Sequence, residues 1–476
     1  MEALSHDFKK NSTEALGNRN LQAALGILRQ NFAGRRGAAV ARLPEFDRLR
    51  DEGRAIKDHV LEHLDLYLET FERNVTALGG QVHWCADAAS AREEVLNICR
   101  RVGARSVSKG KSMISEEIAI NDFLEKNGIE PVETDLGEYI IQLRNETPSH
   151  IIAPAIHLVK EQVAETFRDA HRHLDPARPL ADPRQMCDEA RALLRPKFLA
   201  ADVGITGANF LIAETGSSII VTNEGNGDLT QNLTRVHIVL ASIEKIVPTL
   251  EDASTLLRLL ARSATGQEFS TYTTVSSGPR RPDDTDGPEE YHVILLDNGR
   301  SNMLGTEFQD MLRCIRCGAC FNHCPVYGAV GGHAYGWVYG GPMGSVLTPT
   351  LIGVEEAGNL PNASTFCGRC ESVCPMQIPL PKLMRHWRER EFERHLQPTA
   401  YRAGLKAWAF LAQKPELYRF ATRIAAAVLG LAGRSRGRFR SLPLAQGWTK
   451  GRDMPAPEGR TFMALWAEKQ NKPVVK

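Results

Sequence analysis

The stretch CIRCGACFNHCP (residues 314–325) decides how this chain is read, together with its shorter echo CGRCESVCP (367–375). The first stretch spaces cysteines as Cys314-x2-Cys317-x2-Cys320-x3-Cys324-Pro325. The second gives Cys367-x2-Cys370-x3-Cys374-Pro375. Two-residue spacers wrap a chain around a compact inorganic core. In the bacterial ferredoxin run the fourth cysteine, set off by three residues and followed by proline, ligates the other of two iron–sulfur clusters. The spacing therefore predicts an α-helical ferredoxin-type module with crossed ligands. Cluster 1 takes Cys314, Cys317, Cys320 and Cys374, and cluster 2 takes Cys324, Cys367 and Cys370. A complete second motif would place a cysteine at 364, where the chain has Ser364. Cluster 2 is then either a [4Fe-4S] cluster with a non-cysteine fourth ligand (Ser364, a water or a partner's group) or a [3Fe-4S] cluster. Zinc suits the pattern poorly, because structural zinc sites use four ligands in pairs.

Outward from this module the chain is ordinary. Of its 476 residues, 42% are hydrophobic and 24% charged, and the formal net charge of +1 gives no global field for nucleic acid. The other three of its ten cysteines, Cys85, Cys99 and Cys187, follow no spacing and are given no role. The N-terminal residues lack the apolar core of a secretory signal, and no apolar run is long enough to span a bilayer, so a cytoplasmic location is expected.

Leu61, Leu64, Leu68 and Phe71 recur at helical spacing, so residues 1–78 read as helices that Gly79-Gly80 ends. From 79 to 302 short apolar runs (Ile151–Ile152, 210–213, 219–222, 236–240) alternate with helical stretches (91–102, 115–127). That alternation predicts an α/β domain with a mainly parallel sheet. A loop at 276–290 precedes a last strand at 292–296. The ferredoxin-type domain spans 303–392. Its central stretch GGHAYGWVYGGPMG (331–344) reads either as loops packed round a prosthetic group or as a plain surface loop. Residues 393–476 read as helical or extended. There an apolar helix at 420–431 leads into the basic run GRSRGRFR (433–440), which suits a membrane surface or a partner, or simply a solvated helix end.

Two segments of the α/β domain carry candidate chemistry. Glu214, with Thr215, Gly216 and Ser217, follows a strand and could serve as a nucleophile; the preferred reading is a strand-end turn. Lys109, Lys111 and Ser112 could hold a carboxylate or phosphate, though a solvated loop is preferred. His150 and His157 are assigned no catalytic role, and Asn223-Glu224-Gly225-Asn226 reads as a turn. No strand leads into GxGxxG, so no flavin or nicotinamide site is expected.

Several long stretches are more specific than any of these features. KGKSMISEEIAIND (109–122), ETDLGEYIIQLRNETPSHIIAPAIH (133–157), GITGANFLIAETGSSIIVTNEGN (204–226), HVILLDNGRSN (292–302), the cysteine module through 383, and GWTKGRDMPAPEGRTF (447–462) together span nearly the whole chain. With them the chain resembles the lactate-utilisation protein B family, the iron–sulfur subunit of a three-subunit bacterial L-lactate oxidising complex. The resemblance implies a LUD domain of CoA-transferase and ribose-5-phosphate-isomerase-like fold. It implies two [4Fe-4S] clusters held by the seven cysteines, and an electron-transfer rather than catalytic role in converting L-lactate to pyruvate. It further implies partners in the same complex and a downstream acceptor, which a membrane could hold, placing the chain at the membrane's inner face. The competing expectation is a self-contained CoA-transferase-like enzyme that uses Glu214 and keeps its clusters for structure or redox sensing. A redox-sensing binding module is a third.

Overall fold

The computed structural model describes residues 3–443, 445–449 and 451–470, excluding the side chains of Arg29 and Gln30. The ends of the expected 1–78 and 393–476 segments, and Lys450 of the 447–462 stretch, lie outside the described residues. The chain divides into two compact units, Met1–Arg390 and Glu391–Lys476.

The core of the first unit is a six-stranded, wholly parallel sheet. Its strands are β1 (Gln81–Cys85), β2 (Ser106–Lys109), β3 (Glu130–Glu133), β4 (Val203–Gly207), β7 (Val236–Ser242) and β10 (Glu290–Leu296). They lie in the order β1-β10-β7-β4-β2-β3. β7 is buried along its whole length between β10 and β4, as an apolar run covered on both faces must be. From β2 the chain moves outward to β3; from β4 it moves the other way, to β7. The neighbours β2 and β4 therefore flank a point where the direction of winding reverses, and ligands of open α/β sheets bind outside the carboxyl ends of strands at such points.

The remaining strands build a second sheet of order β8-β5-β6-β9, from β5 (Phe210–Ile212), β6 (Ser217–Thr222), β8 (Ile246–Val247) and β9 (Tyr272–Ser276). β5 and β6 form an antiparallel hairpin. Its turn needs Gly216, which has φ +65° and whose Cβ would lie 2.6 Å from the backbone nitrogen of Val75. The periodicity of 210–222 marks these strands without revealing that they leave the parallel sheet.

Four helices precede the sheets: Phe8–Gly17, Arg19–Ala41, Phe46–Glu62 and Leu64–Ala77. Leu61, Leu64, Leu68 and Phe71 are all buried, as their spacing requires. Two expectations fail. Ile151–Ile152 is not a strand. Pro148 and Pro154 flank it, and the His150 ring Nδ1 accepts the backbone N–H groups of Ile152 (3.0 Å) and Ala153 (3.2 Å), which removes the donors a ladder would use. The stretch 115–127 is two short helices, Met113–Glu117 and Ile120–Lys126, broken at Ala119 with φ +51°. There Arg92 donates to the Ile118 carbonyl at 3.0 Å.

In the second unit, helices Thr399–Ala412 and Pro415–Gly433 pack against each other. A two-residue antiparallel pairing joins Arg438–Phe439 to Met454–Pro455. No helix among the described residues is long and apolar enough to cross a membrane.

Candidate iron–sulfur site

The two cysteine stretches adopt one repeated local shape. Arg316 (φ +59°), Cys317 and Gly318 (φ +71°) lead into helix Ala319–His323. Phe366 (φ +53°), Cys367 and Gly368 (φ +75°) lead into helix Arg369–Ser372. Left-handed residues on both sides of a cysteine curl the backbone tightly about its sulfur, and only glycine takes that conformation without strain. In this repeat Ser364 stands where the first stretch has Cys314. Its hydroxyl accepts the Phe366 N–H at 3.1 Å.

The fold brings Cys314, Cys317, Cys320 and Cys374 together on one small cavity of about 20 Å³, walled by Ile151, Met343, Met376, Ile378 and Leu380. Cys324, Cys367 and Cys370 form a second group whose charges act on one another. Cys370 also acts on Cys320, so the two groups adjoin. Burial, reinforced by neighbouring thiols, pushes Cys320 well above the ordinary thiol range and Cys370 up to about 12. Backbone amides oppose this: Ile378 N–H points at Cys374 Sγ (3.4 Å) and Tyr327 N–H at Cys324 Sγ (3.5 Å). Cys367 is exposed, and the Arg369 N–H and Thr365 hydroxyl lower its pKa. Converging thiols, amides aimed at sulfur and an apolar wall suit a sulfur-ligated iron cluster, whose potential such amides help set.

Cations from distant parts of the sequence, with Arg316 from the loop itself, surround the first group. Arg36 donates to the Val373 carbonyl (2.8 Å) and Arg50 to that of Cys374 (2.9 Å). The buried Lys57 donates to the carbonyls of Glu244 and Ile246. Burial lowers Lys57 to about 8, against the pull of Glu244. Arg316 stacks on the Tyr339 ring at 5.0 Å and reaches Glu244 at 3.1 Å. Burial opposes ionisation of Glu244, but Arg300 and Arg316 hold it at about 2. None of Arg36, Arg50, Lys57 or Glu244 belongs to a local motif, so only the tertiary fold reveals them. The stretch 331–344 belongs here too. Tyr335 and Tyr339 are buried, so the surface-loop reading fails.

The α/β candidates separate. Lys109 is not in a solvated loop: it ends β2, is fully buried, and meets Glu116 and Glu133 at 2.6 Å each. Burial disfavours its ammonium, but these carboxylates raise its pKa above the ordinary range. Lys111 and Ser112 line a different cavity, at the carboxyl ends of β2, β4 and β7. Glu214 lies exposed in the β5–β6 turn, and Asn74 donates to its carbonyl at 3.0 Å. It lines neither cavity. The buried His150 hydrogen-bonds Asn322 (3.1 Å), and burial lowers it to about 3. His157 bonds Glu146 (2.8 Å) and Ser149 (3.0 Å), and His333 completes a close trio with Glu146. Arg144 already pairs with that carboxylate at 2.8 Å. Cys85 and Cys99 are buried; burial drives Cys99 up to about 12, which suits an inert thiol.

Comparison with known proteins assigns these parts to described domains. Residues 68–296 match the LUD domain, 310–378 the 4Fe-4S dicluster domain, and 383–471 the lactate utilisation protein B C-terminal domain. Lactate utilization protein B of Bacillus licheniformis is 41% identical over 480 residues, covering 99% of this chain and 98% of the relative. Its counterpart in Bacillus subtilis is 39% identical over 467 residues, covering 97% and 96%. That of Geobacillus thermodenitrificans is 41% identical over 472 residues, covering 98% and 96%. With three domain matches in order and near-complete coverage at about 40% identity, the chain belongs to the lactate utilization protein B family.

Proposed function

We propose that this chain is the iron–sulfur electron-transfer subunit of a lactate-utilisation system, taking electrons released as L-lactate becomes pyruvate and passing them through two clusters to a downstream acceptor. The carrying observation is the convergence of seven thiols into two adjoining groups within a chain of this family. Clusters in that pair of sites supply one-electron transfer, suited to a two-electron oxidation delivered one electron at a time. The residues do the rest. Cys314, Cys317, Cys320 and Cys374 hold the first site; Cys324, Cys367 and Cys370 hold the second, with Ser364 or an outside group at its fourth corner. Ile151, Met376 and Ile378 exclude water from the first site. Exposed Cys367 leaves the second site nearer to solvent, where a partner can approach.

Within this reading the segments 1–78, 79–302, 303–392 and 393–476 divide the labour. The last faces the acceptor. Its helices expose Trp408 (61%), Phe420 (64%) and Leu431 (71%), and Arg434, Arg436, Arg438 and Arg440 follow. Apolar and basic side chains side by side suit an anionic membrane face, which supports a cytoplasmic location peripheral to the membrane. The exposed position of Glu214, on neither of the two cavities described, gives the CoA-transferase-like reading no support.

The test is growth on L-lactate. Cys314→Ala and Cys374→Ala should each abolish it while leaving growth on other carbon sources intact. Full growth of a strain whose chain has lost its iron would remove the electron path.

A further inference from the structure

The structure holds a second cavity that the electron path does not use. It measures about 200 Å³, opens to solvent, and lies at the carboxyl ends of β2, β4 and β7, at the point where the sheet reverses its direction of winding. Three cations reach it: Lys111 after β2, Lys245 after β7, and Arg316 from the loop between Cys314 and Cys317. Their countercharge within the fold is incomplete. Asp135 stands 3.7 Å from Lys111. Glu244 serves Arg316 but divides itself with Arg300, each at 3.1 Å. The Lys245 ammonium has no hydrogen bond and no carboxylate within 4.0 Å among the described residues, although this side chain is half buried. A half-buried cation without a partner in a cleft is costly unless an anion completes it.

Neutral groups point the same way. The buried Thr222 hydroxyl lines the cavity without a hydrogen-bond partner. Asn209 spends its amide oxygen on the Val221 N–H (2.9 Å), which leaves its NH2 group for a ligand. The wall mixes aliphatic side chains, among them Ile152, Ile220, Leu260 and Ala264, with polar ones that include one further acid, the exposed Glu224. Convergent polar groups on an apolar wall are the mark of a small-molecule site. Cations and aliphatic carbon on the wall of one cavity suit an organic anion better than a bare inorganic one.

We propose that this cavity binds a small organic carboxylate with an apolar body, its carboxylate seated among Lys111, Lys245 and Arg316. Because Arg316 is also part of the cysteine loop, occupancy is felt at the Cys314–Cys374 site. The site itself follows from the cavity. Only the choice of 2-hydroxy and 2-oxo acids as probes rests on the proposed function.

The test uses the full chain, purified anaerobically with its iron. Acetate, L-lactate, pyruvate, 4-methyl-2-oxopentanoate and inorganic phosphate are each titrated by calorimetry, and the EPR line shape of the reduced protein is recorded with and without each. The proposal expects binding by the acids, tightening as the apolar body grows, with a change in line shape. Lys245→Met and Lys111→Met should each weaken binding about tenfold or more, the loss of one charge-assisted hydrogen bond. Lys245→Arg should retain it. Unchanged iron content and circular dichroism show that the variants fold. Binding of none of the acids, phosphate binding as tightly as any acid, or variants that bind like the parent would each overturn the site. Binding that persists in a chain unable to accept electrons from lactate would remove the proposed function and leave this site standing.

Discussion

Arg300→Met is the perturbation that probes most directly how the α/β domain holds the cysteine loop. Arg300 is fully buried and grips Glu117 with two parallel bonds, 2.9 Å to Oε1 and 2.7 Å to Oε2. It also lies 3.1 Å from Glu244 and donates to the Asp297 carbonyl at 3.0 Å. Through Glu244 it is linked to Arg316, and through Glu117 to Tyr339, whose hydroxyl donates at 2.7 Å. Methionine fills similar space but leaves both carboxylates short of a cation. Breaking a buried pair from one side costs about 3–5 kcal/mol. Glu117 keeps Tyr339 and Asn298, and Glu244 keeps Arg316, so the expected loss sits at the lower end, about 3 kcal/mol. Urea unfolding of the anaerobic protein, followed by far-UV circular dichroism, measures it as a fall in midpoint at unchanged slope. Adding Glu117→Gln to Arg300→Met should recover part of the loss, with a coupling of about 1 kcal/mol or more. A single-variant loss below about 1 kcal/mol, or strict additivity, would refute the view that this ion pair anchors the loop.

Three further outcomes follow from particular side chains. Ser364→Cys supplies a thiolate where the repeat has Cys314, so it should alter the EPR signal of the Cys324–Cys367–Cys370 site, with more iron bound if that site lacks a corner; a spectrum and iron count identical to the parent contradict the placement. His237 is buried beside Thr206 (2.8 Å), and burial, then His292, lowers it from 6.5 to about 3. A base whose folded pKa is depressed costs stability as pH falls below 6.5, until the cost levels off near 3, so at pH 5 the penalty is about 2 kcal/mol. His237→Gln should flatten the fall in urea midpoint between pH 7 and pH 5, and an unchanged pH slope would count against it. Glu214→Gln, in its exposed turn, should leave iron content and lactate-dependent growth within error of the parent; loss of growth by a folded variant would restore the carboxylate to a chemical role.

The cysteine module is legible because its spacing is local. Four thiols within 314–324 and three within 367–374 need no tertiary information to be grouped, and the repeat exposes Ser364. The strands at 219–222 and 236–240 are legible as apolar runs, but not the sheet each joins, since pairing is decided by partners far away. Ile151–Ile152 looks like a strand until two prolines and the His150 ring are seen to take its ladder donors. Lys109 looks solvated because its two carboxylates, Glu116 and Glu133, come from elements that only the fold lays beside it. The same holds for Arg36 and Arg50, which reach the carbonyls of Val373 and Cys374, and for Lys57, which reaches those of Glu244 and Ile246, all across long stretches of sequence.

Metal analysis of the chain purified without oxygen decides whether the seven cysteines hold iron. Iron and acid-labile sulfide should each reach about seven to eight atoms per chain, with a brown absorbance that L-lactate and the partner subunits bleach. Colourless protein, or stoichiometric zinc on the same cysteines, would contradict it.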